Sequence, residues 1–327
     1  MADGSVLPQL GSEVFLTDGG IETDLIFRRG VPLPEFASFV MHDSPESEAV
    51  VGDYFEDYLQ ISSDAGLGLV LETLTWRASA DWGAALGYDS IRRRDVNRRA
   101  AEFLLGLRER HDGGPVVISG CVGPRDDAYS GMGGMSVDDA AEYHHTQVSV
   151  LVDSGVDMIS ALTLTNTDEA IGVVRAASSC GAPVVISFTV ETDGRLPTGA
   201  SLASAIRSVD EATDAAATYY MVNCAHHDHL VDAVLAPDPA LARIRGVRAN
   251  ASRLGHAELD RREDLDDGDP AEFGAQLAAL SLDSGESVDP TDPGRSGGSA
   301  GITVMGGCCG TDSRHIAAIA RSLNSPR

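Results

Sequence analysis

The sequence predicts an α/β protein of the (β/α)8 barrel class, with residues 1–327 forming a single barrel domain. Eight short apolar runs alternate along the chain with eight longer segments of helical character. Several of these runs are continuously apolar, as expected for parallel strands that are buried on both faces. A chain of 327 residues with 43% hydrophobic composition also suits one large barrel.

The order of the elements follows the same alternation. The predicted strands are 14–17, 69–73, 116–119, 158–162, 184–188, 219–223, 244–248 and 302–305. The predicted helices are about 48–65, 90–111, 136–154, 168–180, 201–217, 227–236, 270–281 and 312–324. Ser136, Asp168 and Asp312 are residue types that favour helix starts, and each stands at or near the beginning of a predicted helix.

An open, doubly wound sheet is the alternative architecture. Its dinucleotide-binding form carries a G-x-G-x-x-G turn after the first strand. The corresponding stretch here, Asp18-Gly19-Gly20-Ile21-Glu22, does not match that pattern. The barrel is therefore the preferred prediction.

Two segments interrupt the rhythm of strands and helices. Residues 28–47 contain three prolines and are predicted to form a long loop after the first strand. Residues 282–301 are acidic and rich in Gly, Ser and Pro, which predicts a flexible surface loop before the last strand.

The charge balance excludes several functions. The formal net charge is −26, and all 24 basic residues are arginines. A surface this acidic is not expected to bind nucleic acid, and it suits a protein of a salt-rich cytoplasm. The lack of lysine excludes Schiff-base chemistry, pyridoxal phosphate attachment and a P-loop.

The sequence also predicts a cytoplasmic protein with no membrane contact. No run of about 18 apolar residues is present, so no transmembrane helix is expected. The first residues, MADGSVLPQLGSEV, lack the basic and apolar regions of a signal peptide. The sequence does not determine the oligomeric state, and a homo-oligomer is possible.

Three of the five cysteines are predicted to meet at one end of the barrel. Cys224 ends the sixth strand, and Cys308-Cys309 follow the eighth strand between glycines that permit a sharp turn. Strand ends of a barrel open onto a common catalytic face. Three thiolates with one position left open describe a catalytic zinc site, which predicts Zn2+ as the cofactor. Cys121 and Cys180 read instead as small buried residues.

The three cysteines allow other interpretations. A closed structural zinc site would need a fourth ligand, for which His226, His227 and His229 are candidates. A redox pair at Cys308-Cys309 has no other support in the sequence. A non-catalytic zinc protein or metal store is therefore the alternative to an enzyme.

The motifs at the strand ends resemble those of the zinc-dependent homocysteine S-methyltransferases. The resemblance extends from about Thr17 to Ile319, nearly the whole chain. The motifs that carry it are Asp18-Gly19-Gly20, Glu72-Thr73-Leu74-Thr75, Ser187-Phe188-Thr189, Gly199, Asn223-Cys224, and Gly306-Gly307-Cys308-Cys309-Gly310-Thr311 with His315-Ile316. The family is a (β/α)8 barrel whose zinc ligands correspond to Cys224, Cys308 and Cys309.

The resemblance implies the substrates and their contacts. Homocysteine is expected to bind zinc through its sulfur and to attack the methyl group of an onium donor, giving methionine. Asp18, Gly19 and Gly20 are expected to hold its amino-acid end. Thr73, Thr75 and Asn223 are expected to line the site.

The chain departs from the family at the end of the fourth strand. Family members often carry a glutamate there that binds the substrate amino group, whereas this chain has Leu162-Thr163-Leu164-Thr165. Glu22 or Glu72 is a candidate replacement. The departure leaves open a different thiol acceptor, or a lyase or demethylase that uses the same site on another methylated substrate.

The methyl donor is not determined by the sequence. S-methylmethionine, S-adenosylmethionine and betaine all remain candidates, and a cobalamin-dependent route is disfavoured because one barrel accounts for the chain. Trp76 or Trp82 offers an aromatic face that can hold a cationic sulfonium, although simple packing explains both equally well.

Overall fold

The computed structural model describes residues 7–127, 134–259, 261–282 and 301–325. The barrel strands in these ranges are β1 (Phe15–Thr17), β2 (Gly68–Glu72), β3 (Val116–Val122), β4 (Met158–Leu164), β5 (Val184–Phe188), β6 (Tyr219–His226), β7 (Ile244–Asn250) and β8 (Val304–Gly307). They pair in parallel in sequential order, and β1 closes onto β8. The predicted (β/α)8 barrel is confirmed, and the open sheet is wrong.

Eight helices cover the outside of the barrel within the described ranges. They are α1 (Pro45–Ala65), α2 (Ser90–Arg110), α3 (Val137–Asp153), α4 (Thr167–Ser179), α5 (Leu202–Thr213), α6 (His227–Val234), α7 (Pro270–Leu282) and α8 (Ser313–Asn324). Shorter α-helical turns cover Ile21–Thr23, Ala80–Ala85 and His256–Leu259. Asp24–Arg28 is a π-helical turn, and Pro8–Leu10, Pro34–Phe36, Ser38–Asp43 and Pro239–Arg243 are 3₁₀-helices.

Several boundaries differ from the sequence prediction. The side chains of Ser136 and Asp312 do cap α3 and α8 as predicted. The helix expected to start at Asp168 is instead capped by Asn166, whose side chain accepts a hydrogen bond from the backbone of Glu169. The loop predicted over 28–47 contains short helical turns and the start of α1. Residues 283–300 of the predicted acidic loop lie outside the described residues.

Strands β3, β4, β6 and β7 are longer than predicted. Apart from Val122 and Leu164, their extra residues are polar or small, so the apolar pattern alone ended each strand too early. Pairing with a neighbouring strand continues past that point, as in the pairs Cys121 with Ser160 and His226 with Asn250. The barrel therefore carries polar side chains further along its strands than apolar periodicity indicates.

The barrel interior changes from apolar to polar towards the carboxyl ends of the strands. The lower layer is a buried apolar cluster that includes Phe15, Val70, Val117, Met158, Val185, Met221 and Val304. Two residues further along the same strands stand Thr17, Glu72, Ser119, Ser160, Ser187, Asn223 and Gly306. Side chains of one strand face the same side at every second residue. A fully buried polar layer therefore lies directly above the apolar one.

The opposite end of the barrel is closed by the start of the described chain. Leu7 and Leu10 pack against the lower apolar layer, and Gln9 donates a hydrogen bond to the sulfur of Met158. Functional groups therefore concentrate at the carboxyl end, as is usual for this fold. Within the described ranges, no helix combines the length and apolar character needed to cross a membrane.

Candidate functional site

Three cysteine side chains meet at the carboxyl end of the barrel. The sulfur atoms of Cys224, Cys308 and Cys309 all lie within 4.8 Å of one another, and those of Cys224 and Cys309 are 3.6 Å apart. Sulfurs bound to one tetrahedral zinc ion at about 2.3 Å lie roughly 3.8 Å apart. The donor atoms and their spacing therefore fit a metal ion that favours thiolate ligands.

Cys224 reaches the cluster because β6 contains an irregularity. Asn223 pairs with Arg248 and His226 pairs with Asn250, so β6 has one residue more than β7 across this step. Cys224 has a φ of 59°, which is rare for a residue other than glycine. In a regular strand Asn223 and Cys224 would face opposite sides. The extra residue instead lets both line the same cavity.

A second irregularity lies in β4, and Asn223 connects the two. Between Ala161 and Leu164, β4 has one residue more than β5, and Thr163 in this stretch has a φ of 66°. The Asn223 amide oxygen accepts hydrogen bonds from the Thr163 backbone and the Ser187 hydroxyl, while its nitrogen donates to the Thr163 hydroxyl. Asn223 was predicted to line the site. It does so, and its hydrogen bonds also stabilise this strained backbone.

A tight turn brings Cys308 and Cys309 together. The backbone N–H of Thr311 donates to the carbonyl of Cys308, and Gly310 has a φ of 81° at the third position of the turn. Such a positive φ is the reason that type II turns favour glycine at this position. The N–H of Cys308 is bound to the carbonyl of Ala249 in β7. The turn is therefore anchored to the neighbouring strand.

Gly20 supports this turn from the end of β1. A Cβ atom at Gly20 would lie only 2.3 Å from the carbonyl oxygen of Cys308. The φ of Gly20 is −86°, so alanine would suit its backbone and only the collision would disturb the structure. The Asp18-Gly19-Gly20 segment is therefore needed for close packing against the cysteine turn.

We expect Gly20→Ala to displace the cysteine turn and weaken metal binding by about 10- to 100-fold, the usual cost of disturbing the groups that support metal ligands. Chelator competition would measure the change. Gly52→Ala in α1 is the matched control, because its new Cβ would come no closer than 3.8 Å to Phe103. Equal metal affinity in both variants would contradict a supporting role for Gly20.

The cluster favours an ionised Cys308. Its pKa lies well below the usual range for a thiol because the side chains of Cys224 and Cys309 hydrogen-bond to it, and because the charge of Arg248 is nearby. The Asn223 side-chain nitrogen also lies 3.9 Å from the Cys308 sulfur. Thiolates are the form of cysteine that binds metals.

The histidines considered as fourth ligands lie elsewhere in the described structure. No histidine belongs to the group of ligand atoms formed by the three cysteines. His226 caps α6 by accepting a hydrogen bond from the backbone of Asp228, and burial lowers its pKa to about 4. Its ring packs edge-on against His229. The cluster thus has three protein donors among the described residues.

A cavity of about 380 Å³ opens directly above the cysteines. Its wall includes the cysteine cluster, the end of β1 and residues of β2, β4, β6 and β7. Pockets that bind small ligands are commonly of this size. The cavity can therefore hold a substrate whose reacting atom lies against the sulfur atoms.

A buried cluster of charges borders the cavity beside the cysteines. Arg248 donates to Asp18 at 2.6 Å and to the carbonyls of Gly307 and Gly19, and Glu72 lies 3.9 Å from it. The side chains of Asp18, Glu72 and Arg248 are at most 7% exposed. Burial raises the pKa of Glu72 to about 7, against the opposing effect of Arg248.

Most of the other residues predicted to contact the substrate line the cavity. Asp18, Gly19, Gly20, Glu22 and Thr73 line the cavity. Ser38 donates to Glu22 at 2.8 Å, and burial raises the Glu22 pKa to about 7.

Thr75 is the predicted contact that the structure places behind the wall. It does not line the cavity; its hydroxyl donates to the carbonyl of Cys121 and lies 2.6 Å from the Thr73 hydroxyl. Thr75 thus stabilises the wall rather than presenting a group to the cavity.

The two tryptophans differ in their relation to the cavity, because Trp82 does not belong to its lining. Trp76 lines the cavity and donates a hydrogen bond to the carbonyl of Leu162. The guanidinium of Arg77 lies 3.9 Å from the ring centre of Trp82 and 5.1 Å from that of Trp76. Arg77 therefore already makes cation–π contacts with both rings.

Sequence reasoning missed Arg248 as a residue of the site. It was treated only as the end of the seventh strand, although an arginine in an apolar strand is itself a signal. Arginine is rarely buried without a partner. Asp18 is that partner, 230 positions away.

The fold and the cysteine cluster define a (β/α)8 enzyme with a thiol-rich centre at its catalytic face. Comparison with known proteins agrees with this class. The family model for homocysteine S-methyltransferases matches residues 15–323. The chain belongs to the homocysteine S-methyltransferase family, as its motifs predicted, and is a methyltransferase.

Individual relatives are distant, and their matches cover between 58% and 100% of this chain. Betaine–homocysteine S-methyltransferase 1 of Rattus norvegicus is 24% identical over 100% of this chain and 76% of its own length. The homocysteine S-methyltransferase of Escherichia coli strain K12 is 24% identical over 58% of this chain and 63% of its own. The metallated crystal structure of the Escherichia coli homocysteine methyltransferase MmuM superimposes on this chain with a TM-score of 0.70 and 21% sequence identity. The match covers 94% of this chain and 96% of that chain. This last likeness shows a shared fold.

Proposed function

We propose that the protein transfers a methyl group from an onium donor to the thiol of homocysteine, giving methionine. The observation that carries the proposal is the convergence of three cysteine sulfurs on one end of a substrate-sized cavity. Family membership supports homocysteine as the acceptor.

We further propose that Cys224, Cys308 and Cys309 hold Zn2+. Their three soft sulfur donors suit this ion, and no histidine among the described residues completes a closed structural site. When bound, zinc offers an open position that holds a substrate thiol as its nucleophilic thiolate near neutral pH.

The remaining residues orient the two substrates. The acceptor sulfur forms a new S–C bond to the methyl carbon while the donor's bond to that carbon breaks. A sulfonium donor leaves as a neutral thioether, so the leaving group needs no proton. Catalysis by the chain then consists of positioning the reactants within the cavity, where Asp18, Thr73 and Asn223 line the wall.

S-methylmethionine and S-adenosylmethionine are the favoured donors, and betaine is the alternative. The Arg77 guanidinium already lies against the Trp76 ring, so this aromatic face is not fully available to a cationic donor. A cationic donor must either share that aromatic face or approach the acidic groups at the mouth. Asp127 and Glu22 both line the cavity; Asp127 supplies negative charge there, whereas burial raises the pKa of Glu22 to about 7.

Methionine formation tests the proposal directly. Zinc-loaded protein would be given homocysteine with each of the three donors, and methionine would be measured by mass spectrometry. We expect methionine with at least one sulfonium donor, dependent on zinc. No methionine with any donor, in protein shown to contain zinc, would refute homocysteine methylation.

The second candidate is methyl transfer or demethylation involving a different thiol or methylated compound at the same centre. It is favoured by Leu162, an apolar residue that lines the cavity at the end of β4. A thermal-shift screen of thiols and onium compounds would separate the candidates. A thiol that stabilises the zinc protein far more than homocysteine does would favour the second.

A non-catalytic zinc protein is the third possibility. It requires a metal ion shielded from added ligands. Cobalt-substituted protein would reveal whether a ligand position is open, since its visible spectrum changes when a new sulfur binds. A spectrum unaffected by any thiol would support the non-catalytic alternative.

A further inference from the structure

The buried charge cluster contains one donor and one acceptor that no protein group satisfies. The Nη1 atom of Arg248 and the Oε2 atom of Glu72 are buried and have no hydrogen-bond partner. Both residues line the cavity beside the cysteines. Buried polar atoms are nearly always satisfied. Other buried atoms of the described residues also lack a partner, but this donor and acceptor belong to neighbouring residues that line the cavity, which makes them candidates for contact with a ligand.

The other atoms of the cluster are already engaged. Nε of Arg248 donates to Gly307, and Nη2 donates to Asp18 and Gly19. One Asp18 oxygen accepts from Arg248, and the other lies 3.4 Å from the hydroxyl of Tyr54. Asp18 thus helps to hold Arg248 in place. The atoms of the cluster left without a hydrogen-bond partner are Nη1 of Arg248 and Oε2 of Glu72, and Ser119 and Ser160 contact the Glu72 carboxyl group closely enough to lower its pKa.

A free donor beside a free acceptor selects a ligand that carries both charges. Arg248 Nη1 and Glu72 Oε1 are only 3.9 Å apart. A lone carboxylate bound to Arg248 would face the negative Glu72, and a lone ammonium bound to Glu72 would face Arg248. An α-ammonium-carboxylate group satisfies both partners, because its two charges are about as close as theirs.

The same site also lies within reach of the sulfur cluster. Arg248 pairs in register with Asn223 of β6 and with Gly306 of β8. These neighbours immediately precede Cys224 and the Gly307-Cys308 step. A small amino acid with a thiol on a short side chain can therefore contact both places.

We propose that Arg248 and Glu72 are the specificity-determining residues of the acceptor site. Arg248 Nη1 donates to the acceptor's α-carboxylate, and Glu72 Oε2 accepts from its α-ammonium group. Asp18 acts as a positioning residue that orients Arg248. This inference rests on the proposed thiol methylation and assigns the two side chains that recognise the amino-acid end of the acceptor.

Four thiols that differ only in these two groups test the assignment. They are homocysteine, 4-sulfanylbutanoate without the amino group, 3-aminopropane-1-thiol without the carboxylate, and propane-1-thiol without either. With the active donor in excess, we expect each missing group to lower kcat/KM by about 10- to 100-fold, the usual range for hydrogen bonds to charged groups.

Two conservative variants assign each group to its partner. In Glu72→Gln, the ratio of kcat/KM for homocysteine to that for 4-sulfanylbutanoate should fall towards one, while discrimination against 3-aminopropane-1-thiol persists. Arg248→Lys should show the reverse, because one ammonium group engaged by Asp18 cannot also replace Nη1. Each ratio is measured within one preparation, so incomplete folding or zinc loading cancels.

The exposed residues Glu102 and Arg98 supply matched controls. Glu102→Gln and Arg98→Lys change side chains that are 59% and 55% exposed and should leave all ratios unchanged. Equal kcat/KM for homocysteine and 4-sulfanylbutanoate in the wild type would overturn the proposal. Unchanged ratios in both site variants would overturn it as well.

Calorimetry separates this inference from the proposed function. If the wild type methylates none of the four thiols, the proposed function fails. Binding of homocysteine and 4-sulfanylbutanoate to the zinc-loaded protein then decides the amino-acid site independently. Tighter binding of homocysteine that is lost in Glu72→Gln would support the site, and equal binding would reject it.

Discussion

Replacing Cys308 with serine should abolish the proposed zinc binding and lower methyl transfer by more than about 100-fold while the barrel remains folded. The loss exceeds the 10- to 100-fold typical of groups that only support metal ligands, because a ligand itself is removed. Cys308 lies in a turn after β8, outside the apolar clusters of the barrel. Metal analysis, methionine formation and circular dichroism would measure the three effects.

Cys180→Ser is the matched control for this substitution. Cys180 lies at the end of α4, is partly exposed and takes no part in the sulfur cluster. It should retain zinc and activity. Full zinc occupancy in Cys308→Ser would contradict its assignment as a ligand, and loss of the fold would show that the turn has a structural role as well.

Replacing Arg248 with methionine should destabilise the protein by about 3–5 kcal/mol, the usual cost of removing one partner of a buried ion pair. Asp18 and Glu72 would then be buried without a compensating charge. Denaturant unfolding of zinc-free protein would measure the change. Arg245→Met, on the same strand but with its guanidinium bound to the Gly11 carbonyl near the surface, should cost far less.

The loss of stability in Arg248→Met should also depend on pH. Burial already raises the pKa of Glu72 to about 7, and removing Arg248 raises it further. A carboxyl group whose pKa is higher in the folded state destabilises the fold as pH rises from its unfolded value to its folded value. Because Glu72 of the wild type is itself protonated as pH falls through about 7, the two folded proteins differ in the charge of Glu72 only above that value, and the deficit should shrink as pH falls towards about 7.

Adding Asp18→Asn and Glu72→Gln to Arg248→Met tests whether the instability comes from uncompensated buried carboxylates. With both carboxylates neutral, much of the lost stability should return, since no uncompensated charge remains. If the triple variant is less stable than Arg248→Met alone, hydrogen bonding rather than charge compensation accounts for the role of Arg248.

The barrel itself could be predicted well from the sequence because its pattern is local. Buried parallel strands need continuous apolar runs, and the helices between them show their own start signals, as at Ser136 and Asp312. The strand ends that carry polar residues were not predicted correctly. The residues from Cys121 to Val122 belong to β3, although apolar periodicity ended the strand at Ser119.

The meeting of the three cysteines could also be anticipated. Strand ends in a barrel share one face, so residues at the ends of β6 and β8 are near neighbours whatever the details of packing. The sequence therefore determined both the class of fold and the composition of the sulfur cluster.

Only the tertiary structure decided in which direction the side chains of the site point and which polar atoms are left without a hydrogen-bond partner. Strand alternation would turn Cys224 away from Asn223, and the irregularity at φ 59° reverses this through contacts with Thr163 and Ser187 on other strands. Asp18, which stays a predicted substrate contact, lines the cavity as the ion-pair partner of Arg248 from the far end of the chain. Both outcomes depend on neighbours distant in sequence, because buried polar groups take whichever partner the closed barrel brings within reach.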